Sequence, residues 1–373
     1  MGTMAAGGGA GPGYGPVVQG QRPAGPRGRG LVAAGLVIAA FALACLPLAL
    51  GVLTPPPEPT AAPTVGLPSP TLATGSPTEP PPMSPAPGGA EVIAVGSAPS
   101  DVAVDPLLDR AFVANSGDGT VSVVHLAANQ VVGSVEVGGR PMAVAVDPAT
   151  RRGYVADADG GQVVVFDTVA GVVSRSVAVG MEPVGLAVDP QARRLYVANA
   201  GDDTVSVVDT TSDQVVATVE VGRRPVALAI DRAAGVVLVA TVEDDSASQI
   251  DVATLDASPI PTGDGTSDVT VDPLSGAVVW AFPGTGEVAL VADEVRSVPV
   301  GRAPNSLAVD GATGRLYVAN TLDDTVSVVD LSSGTVLATV PVGDGPSAVV
   351  VDGSSPRVFV ANTADNSVSV LEP

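Results

Sequence analysis

Carboxylates are the one class of reactive side chain that this sequence supplies in quantity. It holds 39 Asp and Glu against 17 basic residues, all Arg, with one histidine, His125, and one cysteine, Cys45. Schemes built on Ser-His-Asp, Cys-His or His-metal chemistry therefore lack the residues to run on, and the sequence implies no catalytic residue, metal or cofactor. Seven Asp fall on a beat, at Asp105, Asp147, Asp189, Asp231, Asp272, Asp310 and Asp352, with spacings of 42, 42, 42, 41, 38 and 42 residues. Each closes a short, mostly apolar run, as in Val144-Ala-Val-Asp-Pro148. A carboxylate there can accept backbone N–H bonds two residues on and shape the following turn. The oxygen-dense stretches Asn199-Ala-Gly-Asp-Asp203 and Asn320-Thr-Leu-Asp-Asp324 lack the spacing and closing Glu of an EF-hand, so hairpin turns are expected there rather than calcium loops. His125 replaces the Asp found at Asp167, Asp209 and Asp330, and is expected at a turn.

Self-similarity at about 40 residues means one supersecondary unit copied many times, none of which can bury its apolar faces alone. Residues 180–222 show the unit: Gly-Met-Glu-Pro, Val-Gly-Leu-Ala-Val-Asp-Pro, Arg-Leu-Tyr-Val-Ala-Asn, Asp-Asp-Thr-Val-Ser-Val-Val-Asp and Gln-Val-Val-Ala-Thr-Val-Glu-Val-Gly. Four Val-rich runs between turn clusters, with no helical period, predict a four-stranded antiparallel sheet. Runs such as Leu-Tyr-Val-Ala are apolar on both faces, so neighbouring sheets must cover both. The expected fold is all-β, a seven-bladed β-propeller, with a linear β-solenoid as the competing arrangement. The last unit stops after its third run, and residues 91–95 match the end of a fourth run, so this N-terminal strand is expected to complete the last blade.

Tyr196-Val-Ala-Asn199, Tyr317-Val-Ala-Asn320, Phe112-Val-Ala-Asn115, Phe359-Val-Ala-Asn362 and Tyr154-Val-Ala-Asp157, with Gly-x-x-Pro, Val-Asp-Pro and Thr-Val-Ser-Val-Val-Asp recurring in order, resemble the YVTN-repeat β-propellers over residues 90–373. The resemblance implies the fold. Similar propellers occur among surface and periplasmic proteins, haem-d1-binding nitrite reductases and lactonase-type enzymes; the haem-ligating histidines of the reductases have no match here.

Departures from the repeat mark the candidate ligand site. In the fourth unit Tyr-Val-Ala-Asn becomes Leu238-Val-Ala-Thr241, followed by Asp244 and Asp245; in the fifth it becomes Val279-Trp-Ala-Phe282, and Gly-x-x-Pro becomes Gly263-Asp-Gly-Thr266. Strand alternation puts the Gly-x-x-Pro loops and the loops after Tyr-Val-Ala-Asn on one face of the disc. That loop face is expected to carry Arg140, Glu182, Arg223, Arg224, Asp244, Asp245, Asp264, Trp280, Phe282 and Arg302.

The first 89 residues are of another kind. Residues 1–30 are Gly/Pro-rich, with too little to bury, and are expected to form a disordered cytoplasmic tail. Residues 31–53 carry no charge and are long enough at about 1.5 Å per residue for a hydrocarbon layer of roughly 30 Å, as a transmembrane helix or uncleaved signal anchor. Arg22, Arg27 and Arg29 precede them, so the positive-inside bias puts the N-terminus in the cytoplasm and the repeats outside; a secreted or lipid-anchored product, cleaved near Ala44-Cys45, is the alternative. Residues 54–89 are Pro/Thr/Ser-rich and predict an extended linker with a reach on the order of 100 Å. From residue 90 on, 14 Arg face 37 acidic residues, which opposes nucleic acid as a partner. The expectation is a membrane-anchored extracytoplasmic binding or scaffold module for a protein or cell-envelope glycan, with a lactonase-like or other hydrolase as the alternative.

Overall fold

The computed structural model describes residues 90–292 and 294–372. The tail, the apolar segment and the linker expected over 1–89 lie outside the described residues. Among those described, no helix is long and apolar enough to cross a membrane.

The repeats fold into seven four-stranded antiparallel sheets. In the third, the strands are Pro183–Asp189, Arg194–Asn199, Thr204–Asp209 and Gln214–Glu220, running from the axis outward. Blades one to six occupy residues 99–136, 141–178, 183–220, 225–261, 268–299 and 304–341. The innermost strands of consecutive blades contact one another around the whole ring, including the seventh against the first. Blade seven takes three strands from the C-terminal end, and its outermost strand is Glu91–Ala94, antiparallel to Ser367–Leu371 with Glu91 opposite Val370 and Ala94 opposite Ser367. The ring is thus closed by backbone hydrogen bonds between the two ends of the repeat region.

Each repeated motif has an assigned task. The carboxylates of Val-Asp-Pro accept N–H bonds from residues two and three further on, as Asp105 does from Leu107 and Leu108 and Asp189 from Gln191 and Ala192. At the opposite end of the blade, the Asn of Tyr-Val-Ala-Asn is buried. Asn199 Nδ2 donates to Thr204 Oγ1 (3.0 Å) and Ser206 Oγ (2.9 Å), while its Oδ1 accepts the N–H of Gly180 (3.2 Å). Asn320 repeats all three bonds. A Cβ at Gly180 or Gly301 would overlap the Asn side chain, which is why Gly-x-x-Pro must begin with glycine. Gly-x-x-Pro, Tyr-Val-Ala-Asn and Thr-x-Ser are therefore one hydrogen-bonded unit.

Packing between blades follows a rule and two compensated exceptions. Tyr154 of blade two lies with Leu195 and Val197 of blade three, and Tyr196 of blade three with Val237 and Val239 of blade four. At the next interface the aromatic changes sides. Blade four offers Leu238 in the Tyr position, and blade five offers Trp280 where other blades have Val. Between blades one and two, Gly153 stands in the Leu195 position because Phe166 fills the space; a Cβ at Gly153 would overlap that ring, which packs on Phe112 with centroids 5.4 Å apart. Thr266 stands in place of the Gly-x-x-Pro proline and supplies what proline lacks, an N–H, donated to Thr241 O at 2.8 Å. The irregular sector is thus repacked, and the departures there serve the fold.

Leu238→Tyr should overpack against Trp280 and cost about 1–3 kcal/mol, and Trp280→Val should leave a void costing about 3 kcal/mol. Together they restore the packing of the other interfaces, so denaturant unfolding of the double variant should show a loss well below the sum. Additive losses would mean that the two side chains do not share one space.

Candidate functional site

The Gly-x-x-Pro loops and the hairpins after Tyr-Val-Ala-Asn meet on one face: Ser116 N–H donates to Ala98 O, Ala200 N–H to Glu182 O and Gly201 N–H to Met181 O. The hairpin Asp braces the loop of its own blade. Asp118 accepts the N–H of Ser97 (2.7 Å), Asp202 that of Met181 (2.6 Å) and Asp323 that of Arg302 (2.7 Å).

The polar residues expected on this face are engaged partly with one another and partly with hairpin carboxylates and the backbone. Arg223 Nε lies 2.9 Å from Asp244 Oδ1, and this guanidinium holds the Asp244 carboxyl below the usual range. Arg302 Nη2 donates to Leu322 O (2.6 Å) while its Nε pairs with Asp323, and Arg140 Nε lies 2.9 Å from Asp159 Oδ1. Arg224 and Glu182 approach at 3.9 Å across neighbouring loops, each with a left-handed backbone (φ 53° and 47°). The Asp245 carbonyl accepts the N–H groups of Thr262 and Gly263, and Asp264 caps Gly265 N–H at 2.8 Å. Such exposed pairs contribute little to stability, because water screens them. Trp280 is 3% exposed and sits in the core between blades four and five, with Phe282 half-buried against the same cluster. Phe282 occupies the Asn slot of its blade, and the gap beside it, lined by Ile260, Pro261 and Val291, measures only about 30 Å³. The structure thus groups Arg223 with Asp244 and Arg224 with Glu182, spreads Arg140 and Arg302 to other sectors of the rim, and sets Trp280 within the core.

A second set of residues, absent from the sequence-based expectations, faces the axis. The innermost strands of all seven blades surround a cavity of about 340 Å³, and Arg224 and Ala200 at its edge show that it opens on the loop face. Its wall is formed by the two residues after the Gly-x-x-Pro proline, where a β-bulge interrupts the register. In blades two, three and four these pairs are Met142-Ala143, Val184-Gly185 and Val226-Ala227; in blades five, six and one they are Ser267-Asp268, Asn305-Ser306 and Ser100-Asp101, and in blade seven Ser347-Ala348. One arc of the mouth is therefore apolar and the other polar.

The polar arc joins blades. Ser100 Oγ donates to Pro141 O (2.9 Å), Ser267 Oγ to Pro304 O (2.7 Å) and Ser347 Oγ to Pro99 O (3.0 Å), each on the next blade. Asp101 Oδ2 accepts the N–H of Val144 (2.8 Å), and Asp268 Oδ2 that of Leu307 (2.7 Å), while the Oδ1 atoms accept Val102 and Val269 N–H. Both carboxyls keep a partly accessible edge toward the cavity yet have protein around them on every other side. Burial pushes each up to about 7 against the opposing pull of these N–H bonds, and the charge of Asp101 adds to the rise at Asp268. The signal for this pair was present in the sequence: Ser-Asp-Val follows the loop in blades one and five, and at the Asp position the other blades carry only Ala, Gly or Ser. Among the described residues no group of three or more His, Cys, Asp and Glu is arranged to hold a metal ion.

No family model matches the chain, and no curated protein does. Among solved structures it is similar to hydrazine synthase of Kuenenia stuttgartiensis, at 22% identity and a TM-score of 0.67, over 74% of this chain and 96% of that one. That likeness extends to the fold alone. The molecule is of the seven-bladed β-propeller class, and the resemblance to YVTN repeats rests on the motifs themselves.

The axial pair sets a pH dependence. A carboxyl whose pKa is raised on folding contributes stability that is complete below its unfolded value near 3.8 and is lost as pH rises through about 7. Carboxyls held low by turn N–H and hydroxyl bonds, such as Asp330 at about 2, act in the other sense and only at acid pH. The melting temperature should therefore fall between pH 5 and 8.5. Asp101→Asn with Asp268→Asn, which keeps an acceptor for Val144 and Leu307 but gives up the one for Val102 and Val269, should flatten the profile whatever its effect on the melting temperature itself; an unchanged slope would remove the pair as its source.

Proposed function

We propose that this chain is a binding or scaffold module displayed outside a membrane, with a protein or a cell-envelope glycan meeting the loop face and the channel mouth. Residues 31–53 would serve as anchor and residues 54–89 as the spacer that holds the ring clear of the lipid. One observation carries the binding role. The repeated polar side chains are spent on turns and loop braces, whereas residues that differ between blades line a concave mouth in a rigid ring. Propeller neighbours include an enzyme, but at 22% identity its chemistry does not transfer to this chain.

A hydrolase is the second reading, and a specific feature favours testing it. Carboxyls near pKa 7 can give or take a proton at neutral pH, as a general acid or base must. Against it, both oxygens of each carboxylate are already engaged by backbone N–H groups, and the neighbouring hydroxyls of Ser100 and Ser267 donate to backbone carbonyls rather than to a carboxylate base.

One experiment separates the two. The full chain, immobilised and exposed to solubilised cell envelope, should retain a partner that is lost when Arg223 and Arg302 are both replaced by Ala, and the same preparation should leave a panel of lactones intact. Turnover abolished by Asp268→Asn would establish the hydrolase instead, and an empty eluate would defeat the binding module.

A further inference from the structure

We propose that the channel mouth binds an alkylammonium group, either a small free amine or a lysine side chain of a partner, with the nitrogen on the polar arc and the carbon body on the apolar arc. The inference deepens the binding-module reading by naming what its cavity recognises.

Hydrogen-bonding capacity decides the polarity of the ligand. The hydroxyl protons of Ser100, Ser267 and Ser347 are donated to backbone carbonyls, so these oxygens face the cavity with lone pairs to spare. Asn305 Nδ2 donates one of its two hydrogens to Ser347 O and leaves its Oδ1 as an acceptor, and Ser306 Oγ accepts the Val349 N–H, so the amide and this hydroxyl are the donors left on an arc otherwise made of acceptors. Asp101 and Asp268, once ionised, only accept. An arc rich in acceptors calls for a ligand rich in donors, and an ammonium brings three donors on one compact charge.

Charge points the same way. The other charged side chain lining the cavity, among the described residues, is Arg224, which stands at the rim 3.9 Å from Glu182 and not against either Asp. The strands packed around Asp101 and Asp268 otherwise present Met142, Val184, Leu186, Val226 and Leu228 and further uncharged residues. Two carboxyls thus share a cavity with no cation beside them, and the cost appears as titration near neutrality. A ligand cation would remove that cost. The surplus of acidic residues over the ring raises the local concentration of cations at the mouth.

The opposite wall selects the rest of the molecule. Met142, Val184 and Val226 offer apolar surface but no aromatic face, which suits a flexible aliphatic chain better than a flat ring. The cavity volume of about 340 Å³ lies within the range of small-molecule sites, roughly 300–1,000 Å³, and accommodates a short alkyl chain with its headgroup.

The test titrates the full chain calorimetrically with n-hexylammonium, with 1-hexanol, and with a short peptide carrying one lysine or its acetylated form. Hexylammonium or the lysine peptide should bind about tenfold more tightly at pH 8 than at pH 6, because an acid near pKa 7 must ionise to pair with it. The tighter of the two identifies the source. Hexanol and the acetylated peptide should not bind. Asp101→Asn with Asp268→Asn should abolish binding of the amines while circular dichroism shows an intact ring. Val184→Arg, which places a guanidinium in the mouth, should abolish it too and remove the pH dependence of melting. Equal binding of hexanol, wild-type affinity in the double Asn variant, or no binding of either amine at 10 mM would overturn the inference. An envelope partner retained by the wild-type chain in the face of that last result would leave the binding module standing without its ammonium site.

Discussion

Two-sided burial is the constraint on which the rest of this molecule depends. Strands such as Arg194–Asn199 and Thr204–Asp209 carry buried side chains on both faces, so a blade has no solvent side and must be sandwiched. Each interface removes several Val, Leu and aromatic side chains from water, at about 1.5–3 kcal/mol apiece. No single blade gains this alone, and an open row would leave two blades half covered. Closure of the ring, held by Glu91–Ala94, gives every blade two neighbours.

Polar groups then settle the geometry that burial leaves loose. Apolar contact is non-directional, so the angle between blades needs directional bonds, and these occur at three radii. Near the axis, serine and aspartate side chains reach the next innermost strand. On the loop face, Asn and Thr-x-Ser hold the inter-blade loop. On the opposite face, arginines reach across to the next blade: Arg110 to Thr168 O, Arg152 to Thr210 O and Asp213, and Arg357 to Leu126 O, the last joining blade seven to blade one. The axial bonds are missing where the mouth is apolar, in blades two to four, so the stability of that arc rests on packing and on the outer bonds. The asymmetry of the mouth is thereby tied to the asymmetry of the ring.

Much of the fold was legible in the sequence because a repeat reports the same constraint seven times. The count of units, the four runs in each and the shared face of the loops follow from period, alternation and turn chemistry. The tasks of the Asp in Val-Asp-Pro and of the hairpin turns were readable for the same reason, since local hydrogen bonds involve residues two or three apart. Trp280 shows where such reading fails. Rarity in the sequence marked it as a surface ligand residue, whereas its partner Leu238, 42 residues earlier, makes it core. A pair exchange of this kind is visible only when the two columns of neighbouring units are compared as touching surfaces.

The sequence by itself determined an all-β ring of repeats, its acidic surface, and the absence of the residues that most catalytic schemes need. Only the tertiary structure decided which polar residues converge. Asp101 and Asp268 lie 167 positions apart in the chain, and although each departs from the small residue at its repeat position, nothing in either unit shows that the two share a cavity. Ring closure brings both to one cavity, and the low polarity around them, which no local pattern encodes, moves their titration to neutral pH. Desolvation and long-range charge depend on what surrounds a group in space, and that is the information a linear reading does not carry.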